Sequence, residues 1–154
     1  PISIDLESQI AERGWNYLKD MLLKADILIP NKLGAKMITK TDSIKKAASK
    51  LIEWGIPKII ITLGDKGAMF TSEDKQFEVP AYQVDEVVDT TGAGDTFNGA
   101  FAVAYWIKKW DIIKSIKYAN AAAALKIQNL GARTGMPNEK KLMKFLKRND
   151  ENFS

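Results

Sequence analysis

The chain has 154 residues, 45% of them hydrophobic and 27% charged, which is typical of a globular protein with a sizeable core. The sequence contains no cysteine and no histidine, and this excludes disulfide frameworks, thiolate or imidazole metal sites and Ser-His-Asp catalysis. The formal net charge is +4, but the lysines are dispersed and only three arginines occur, so we expect no nucleic-acid partner.

No apolar run reaches the length of a transmembrane helix, and the N-terminal segment lacks the pattern of a signal peptide. We therefore expect no membrane partner and a cytoplasmic location. Residues 1–154 are expected to form a single domain, and the polar residues 148–154 to form a frayed tail.

Strands and helices alternate in the first part of the chain. Three short apolar runs predict buried strands, at residues 2–6, 26–30 and 58–63. Apolar residues at helical spacing predict a helix over 8–24, and Asp42 or Ser43 is suited to cap a second helix that runs to Trp54. This order predicts an α/β fold with a mostly parallel sheet flanked by helices.

The second part of the chain begins with short strands and continues with helices. Turn residues separate three predicted strands of a small β-meander at one edge of the sheet, at 67–71, 76–79 and 82–88. Three predicted helices follow, at 96–107, 112–128 and 138–147. The first of these is apolar nearly all round, which is typical of a buried helix.

The most informative segment is Asp-Thr-Thr-Gly-Ala-Gly-Asp at residues 89–95, directly before that apolar helix. Glycine allows backbone N–H groups to approach an anion closely, and a helix that starts here would favour phosphate at its N-terminus. Asp95 would then lie in the first helical turn. A carboxylate beside a phosphate site is costly unless it has a task, and the obvious task is to accept a proton from an attacking hydroxyl.

This segment resembles the second signature of the ribokinase family, the phosphofructokinase-B group of sugar and nucleoside kinases. The resemblance implies a ribokinase-like fold and ATP-dependent phosphoryl transfer to a sugar hydroxyl. It implies that Gly92, Ala93 and Gly94 form an anion hole and that Asp95 is the catalytic base. The alternative from the residues alone is an ordinary loop before a helix, where Gly, Asp and Thr are common.

Two other loops follow predicted strands, and the carboxyl ends of parallel strands meet at one edge of a sheet. Asn31 follows the second strand, and Thr-Leu-Gly-Asp-Lys-Gly follows the third. The latter resembles the nucleotide-binding turn of the family, with Gly67 as its last residue. The resemblance implies that Thr62, Gly64 and Asp65 approach the phosphates or the ribose of ATP. The alternative is a plain turn between two strands.

Two weaker resemblances concern the adenine of the nucleotide. Asn120 precedes the alanine run at 121–124 and matches a family position that borders the adenine. Gly131 and Ala132, in the loop after that helix, resemble the adenine-side wall of the family. An asparagine before an alanine-rich helix also needs no ligand, so a structural role stays open.

Asp89 and Thr91 match positions where family members hold a monovalent cation, usually potassium, beside the anion hole. Oxygen ligands suit such a hard cation. The alternative is that Asp89 caps the loop through hydrogen bonds to nearby N–H groups.

The sequence departs from the family pattern after the second strand. Kinases of this family commonly carry Asn-x-x-Glu there, and the glutamate helps to order Mg²⁺ and its waters; in this chain the glutamate position is Gly34. Mg²⁺ would still bind mainly through the nucleotide phosphates. Two alternatives follow: either another acid substitutes for the missing carboxylate, for which Asp5 and Glu7 at the end of the first strand are the candidates, or catalysis is weak.

The resemblance covers only the C-terminal, nucleotide-binding half of the family, so the expected fold is incomplete. The missing half normally supplies further strands and the residues that grip the sugar. An open strand edge then predicts a homo-oligomer or a separate N-terminal half as partner. The main expectation is a carbohydrate kinase with ATP, Mg²⁺ and K⁺ as cofactors; the alternative is a non-catalytic nucleotide-binding module or subunit.

Overall fold

The computed structural model of the chain describes residues 1–150 and Phe153. Two compact units are present, the first built from 1–64 with 68–78 and the second from 65–67 with 79 onward. The single domain expected over the whole chain stays a prediction. Within the described residues no helix is long and apolar enough to cross a bilayer.

A five-stranded sheet forms the centre of the first unit, with the strands in sequential order from β1 to β5. Its strands are β1 (Ser3–Leu6), β2 (Ile27–Pro30), β3 (Lys58–Thr62), β4 (Ala68–Ser72) and β5 (Gln76–Val79). β1, β2 and β3 are parallel, and β4 is antiparallel to β3. This sheet confirms the mostly parallel arrangement and the first two strands of the predicted meander.

Four helices cover this sheet, namely α1 (Ser8–Ala11), α2 (Trp15–Leu22), α3 (Lys32–Thr39) and α4 (Ile44–Glu53). The prediction of one helix over 8–24 is wrong, because Gly14 has a φ of 78°, and a positive φ interrupts the helix. α3 was not predicted. α4 is capped by Ser43, whose hydroxyl accepts a hydrogen bond from the Lys46 N–H at 3.4 Å.

The core of the first unit lies between the sheet and these helices. Its fully buried side chains include Leu6, Leu28 and Ile59 from the strands and Ala47 and Leu51 from α4. The apolar residues that predicted the strands therefore pack against the helices. This packing fixes the carboxyl ends of β2 and β3 in position.

The second unit is helical. It contains α5 (Ala93–Ala102), which continues into a π-helical turn at Val103–Ile107, followed by α6 (Ile112–Lys126) and α7 (Glu139–Asn149). The helix predicted over 96–107 therefore starts three residues earlier. The strand predicted over 82–88 is wrong: these residues have no strand partner, and Val88 and Asp89 instead donate their N–H groups to the Ile127 main-chain oxygen, at 2.8 and 3.1 Å.

Small residues let α5 and α6 pack closely, and the apolar face of α7 completes the core with Leu142 and Leu146. Asn138 caps α7 by accepting a hydrogen bond from the Lys141 N–H at 2.9 Å. Phe153 is buried in the same core. Of the frayed tail predicted over 148–154, positions 151, 152 and 154 lie outside the described residues.

Candidate active site

Residues 92–95 form the start of α5, as the sequence indicates. Gly92 is the N-cap with a φ of 78°, and the Thr96 hydroxyl donates to its main-chain oxygen at 2.7 Å. The Ala93 N–H donates to the Thr90 main-chain oxygen at 3.1 Å. Asp95 lies in the first turn. N–H groups in a first turn have no carbonyl partner inside their helix, so those of Gly94 and Asp95 are the ones suited to an anion.

The two glycines of this segment have different surroundings. A Cβ atom built on Gly92 would lie 2.5 Å from the Ala132 main-chain oxygen, so the loop after α6 packs directly against the start of α5. A Cβ atom built on Gly94 would meet no atom of the described residues within 4 Å. Gly92 is therefore required by packing, whereas Gly94 leaves open space at the helix start.

The carboxylate of Asp89 joins the same two loops. Its Oδ1 accepts a hydrogen bond from the Thr91 N–H and its Oδ2 accepts one from the Gly131 N–H, both at 2.8 Å. These bonds, first those of Thr91 and then that of Gly131, lower the pKa of Asp89 to about 2, and the charge of Lys126 adds to the effect. Asp89, Thr91, Gly92, Gly131 and Ala132 are thus brought together in the second unit.

Lys126 belongs to this cluster, and the sequence analysis missed it. Its side chain is 0% exposed, and its Nζ donates to the main-chain oxygen of Asp89 at 2.7 Å and approaches that of Asn129 at 3.5 Å. The Asp89 Oδ2 lies 4.0 Å from the same Nζ. A signal was present: this lysine ends an alanine-rich apolar run, where a solvated charge is out of place.

A cavity of about 320 Å³ adjoins Asp95 within the second unit. Asp95 and Thr96 of α5, Tyr118 of α6, Met136 and Glu139 are among the residues that line it. Burial raises the pKa of Tyr118, and the Glu139 carboxylate adds to the effect. The cavity is mostly apolar, with Asp95 among the residues that line it, and its size is in the range of sites for small ligands.

Asn120 and Gly67, both expected near the nucleotide, contact the same stretch of backbone. Asn120 is 5% exposed, and its amide nitrogen donates to the main-chain oxygens of Val79 and Pro80 at 3.2 and 3.0 Å. Gly67 has a φ of 94°, and a Cβ atom there would lie 2.1 Å from the Val79 oxygen. Both residues therefore have a structural task at 79–80 that explains their presence without a ligand.

In the first unit the structure brings Asn31 and Thr62 together. They form an isolated parallel bridge just beyond β2, and the Asn31 side chain caps α3 by accepting from the Gly34 N–H at 2.7 Å. Gly64 opens a short 3₁₀ turn with a φ of 65°, and a Cβ there would meet none of the described atoms within 4 Å. Asp65 is exposed in the same turn. That the Gly92–Asp95 segment joins these residues stays a prediction.

A model of the pfkB family of carbohydrate kinases matches residues 8–139, which is most of the chain. The chain belongs to this family. This pfkB-family chain is 33% identical to the ribokinase of Haemophilus influenzae over 163 residues, a match that covers 95% of the chain and 53% of the relative. It therefore spans about half the length of that relative.

Solved structures of a ribokinase-type protein and of a fructokinase are similar in fold. An E. coli protein assigned as ribokinase II, in complex with ATP and Mg²⁺, is similar with a TM-score of 0.79 and 30% identity over 86% of this chain and 42% of its own. A double mutant of Vibrio cholerae fructokinase, with fructose, ADP and potassium bound, has a TM-score of 0.80 and 28% identity over 94% of this chain and 49% of its own. The ribokinase-like fold is thereby confirmed.

Position 34 is where this chain departs from the glutamate pattern described for the pfkB family. A Cβ atom on Gly34 would lie 2.7 Å from the Leu6 main-chain oxygen, 3.1 Å from the Asn31 Oδ1 and 3.3 Å from the Glu7 carbonyl carbon. The backbone at 6–7 thus fills the space that a side chain at 34 would need. Across the described part of the chain, no group of three or more acidic side chains comes together as a metal site.

Proposed function

We propose that this chain carries the nucleotide-binding part and the catalytic base of an ATP-dependent carbohydrate kinase. The observation that carries the proposal is the start of α5, where Gly94 leaves open space and Asp95 follows in the first turn. Membership of a carbohydrate kinase family and the similarity to proteins that bind ATP or ADP support it.

Asp95 is the proton acceptor in this proposal. Its carboxylate removes the proton from a sugar hydroxyl, the hydroxyl oxygen attacks the γ-phosphorus of ATP, and the bond from that phosphorus to the β–γ bridging oxygen breaks as ADP leaves. The first-turn N–H groups and the dipole of α5 stabilise the charge on the transferring group. Gly92 and Ala93 contribute by shaping the turn that places these N–H groups.

The proposal assigns the nucleotide contacts residue by residue. Thr62, Gly64 and Asp65 contact the phosphates or the ribose, and the exposed turn that begins at Gly64, with open space there, supports that role. Gly131 and Ala132 border the adenine. Asn31, Gly67 and Asn120 do not contact ATP directly in this proposal. They position the neighbouring backbone, since each already bonds to it or packs against it.

Mg²⁺, when bound to the nucleotide phosphates, would shield their charge during transfer. Two carboxylates lie near the end of β1, that of Asp5 within the strand and that of Glu7 directly after it. Glu7 is the better placed, because its own backbone fills the space beside Gly34. Glu7 is exposed, so its carboxylate can reach a water molecule bound to the metal. We assign it, ahead of Asp5, the task of the glutamate that is missing at position 34.

A second candidate is a nucleotide-binding subunit that is not catalytic by itself. The chain spans about half of its matched relative, and Gly34 lacks the carboxylate of the family pattern. β1 is one edge strand of the described sheet, so its outer backbone groups are open to pairing with a further strand. A homo-oligomer or a separate N-terminal half is the partner that would complete either candidate.

The experiment is a calorimetric titration of the chain with ATP, with and without Mg²⁺. We expect saturable binding that requires Mg²⁺ and is weakened by Thr62→Ala. Ser72→Ala is the matched control, because Ser72 lies at the far end of the same β3–β4 pair. A folded chain that gives no binding heat with MgATP would contradict both candidates. Binding of MgATP without phosphorylation of any sugar would favour the second candidate.

A further inference from the structure

Lys126 places a charged group in the interior of the second unit. Its Nζ faces three oxygen atoms, the main-chain oxygens of Asp89 and Asn129 and the Asp89 Oδ2. A buried charge is costly unless it is paired and hydrogen-bonded, so these oxygens are what hold the ammonium in place. The loop after α6 closes on the same residue, since a Cβ atom on Gly135 would lie 2.4 Å from the Lys126 main-chain oxygen.

The surroundings of Asp89 do not fit the monovalent cation expected there from the family resemblance. Both carboxylate oxygens of Asp89 accept backbone N–H groups, from Thr91 and Gly131. The main-chain oxygen and the Oδ2 of Asp89, two of the three oxygen atoms that this residue could offer to a cation, already face the Lys126 ammonium. A second positive charge would compete for these oxygens and be repelled at short range, where water screens little.

We infer that the Lys126 ammonium takes the place of the monovalent cation at Asp89, so that this chain binds no potassium there. The inference rests on the proposed function for its consequence, which is MgATP binding that is independent of potassium. The ammonium holds the Asp89 backbone against the end of α6, and Asp89 holds Gly131. Lys126 is therefore a positioning residue for the loop that packs on Gly92.

Two substitutions of Lys126 separate the effect of its charge from the effect of the volume that its side chain fills. Lys126→Ala removes the ammonium and opens a buried space lined by oxygen atoms, which a hydrated potassium ion can enter. Lys126→Met also removes the charge, but its side chain fills the space with apolar atoms. The melting temperature of each chain would be measured in potassium chloride and in tetramethylammonium chloride at equal ionic strength, with MgATP titrations run in parallel.

For the unsubstituted chain we expect melting temperatures that agree within about 1 °C in the two salts, because no ion binds selectively to the folded state. Lys126→Ala should melt at least about 4 °C lower in tetramethylammonium and recover part of that loss as potassium is added. Lys126→Met should melt lower in both salts with no recovery. MgATP affinity of the unsubstituted chain should be the same in both salts.

A saturable rise in the melting temperature of the unsubstituted chain with potassium would overturn the inference, whatever the variants do. A folded Lys126→Ala chain whose melting temperature does not rise with potassium would also count against the inference. If MgATP fails to bind in either salt, the proposed function fails, but the melting temperatures still decide whether Lys126 replaces the ion. The two failures are therefore distinguishable.

Discussion

Gly92 and Ala132 are in backbone contact, and a Cβ atom at position 92 would lie only 2.5 Å from the Ala132 main-chain oxygen. Because Gly92 also has a φ of 78°, both its conformation and its surroundings exclude a side chain. The contact ties the start of α5, where the proposed anion hole lies, to the loop after α6.

A matched pair of substitutions compares Gly92, which is tightly packed, with Gly94, which has open space around it. Gly92→Ala should lower the free energy of unfolding by about 1–3 kcal/mol, since it combines strain at positive φ with a backbone clash. Gly94→Ala should leave stability unchanged or raised, because Gly94 is helical and its Cβ has space, yet it should weaken MgATP binding. Urea unfolding and calorimetric titration measure the two effects. Equal loss of stability in both variants would contradict the assignment.

Asp95→Asn tests the catalytic base. The amide keeps the size of the side chain but cannot accept the proton, so phosphorylation of a sugar substrate should fall by about 10²–10⁴-fold while MgATP affinity stays within a factor of a few. Asp85→Asn, in an exposed loop of the same unit, is the control. The rates would be measured by ADP release with ribose or fructose, in the presence of any partner that the chain requires. Near-normal turnover by Asp95→Asn would remove this residue from the mechanism.

Glu7→Gln tests the assignment of the carboxylate beside Gly34. We expect the Mg²⁺ concentration needed for half-maximal ATP binding to rise by about 10-fold, as is common when an outer-shell carboxylate is lost. Glu12→Gln, an exposed residue just after α1, should have no effect. An unchanged Mg²⁺ requirement in Glu7→Gln would leave Asp5 as the remaining candidate at the end of β1.

Tyr82 gives the second unit a pH-dependent stability. Burial, together with the hydrogen bond from its hydroxyl to the Asp150 Oδ2 at 3.0 Å, raises the pKa of Tyr82 above its usual value of about 10. The folded state therefore keeps this proton when the unfolded state has lost it. The stabilisation is fully present below about pH 10 and is lost as the pH rises toward the folded-state pKa.

Tyr82→Phe should accordingly flatten the fall in the free energy of unfolding above about pH 10, and lower the stability at neutral pH by about 1 kcal/mol through the lost hydrogen bond. Tyr17→Phe is the control, since that ring is 68% exposed. The measurement is chemical denaturation between pH 7 and pH 11. An alkaline fall of unchanged steepness in Tyr82→Phe would show that other groups cause it.

The sequence predicted the features that local patterns encode. Apolar runs located β1, β2 and β3, Ser43 marked the start of α4, and Gly-Ala-Gly-Asp marked the start of α5. Family membership followed from the same segment and is confirmed. In each case the physical cause lies within a few residues, as apolar periodicity, a capping side chain or a glycine turn.

The features that the sequence did not predict depend on partners far along the chain. Residues 82–88 follow a turn and were predicted as a strand, but the Val88 N–H donates to the Ile127 main-chain oxygen, a partner that no local pattern reveals. Lys126 was counted among the dispersed lysines because its partner, Asp89, lies 37 positions earlier. The hydrogen bonds of Asn120 to residues 79 and 80 were not predicted either, because these partners lie 41 and 40 positions earlier in the chain.

The close approach at Gly34 also has a consequence for how this protein can change over time. With the Leu6 oxygen 2.7 Å from where a Cβ would stand, a carboxylate side chain can be placed at position 34 only if the backbone after β1 moves. The obstacle is the packing of the main chain and not only the identity of residue 34. A substitution at position 34 therefore has to be combined with changes in the neighbouring turn.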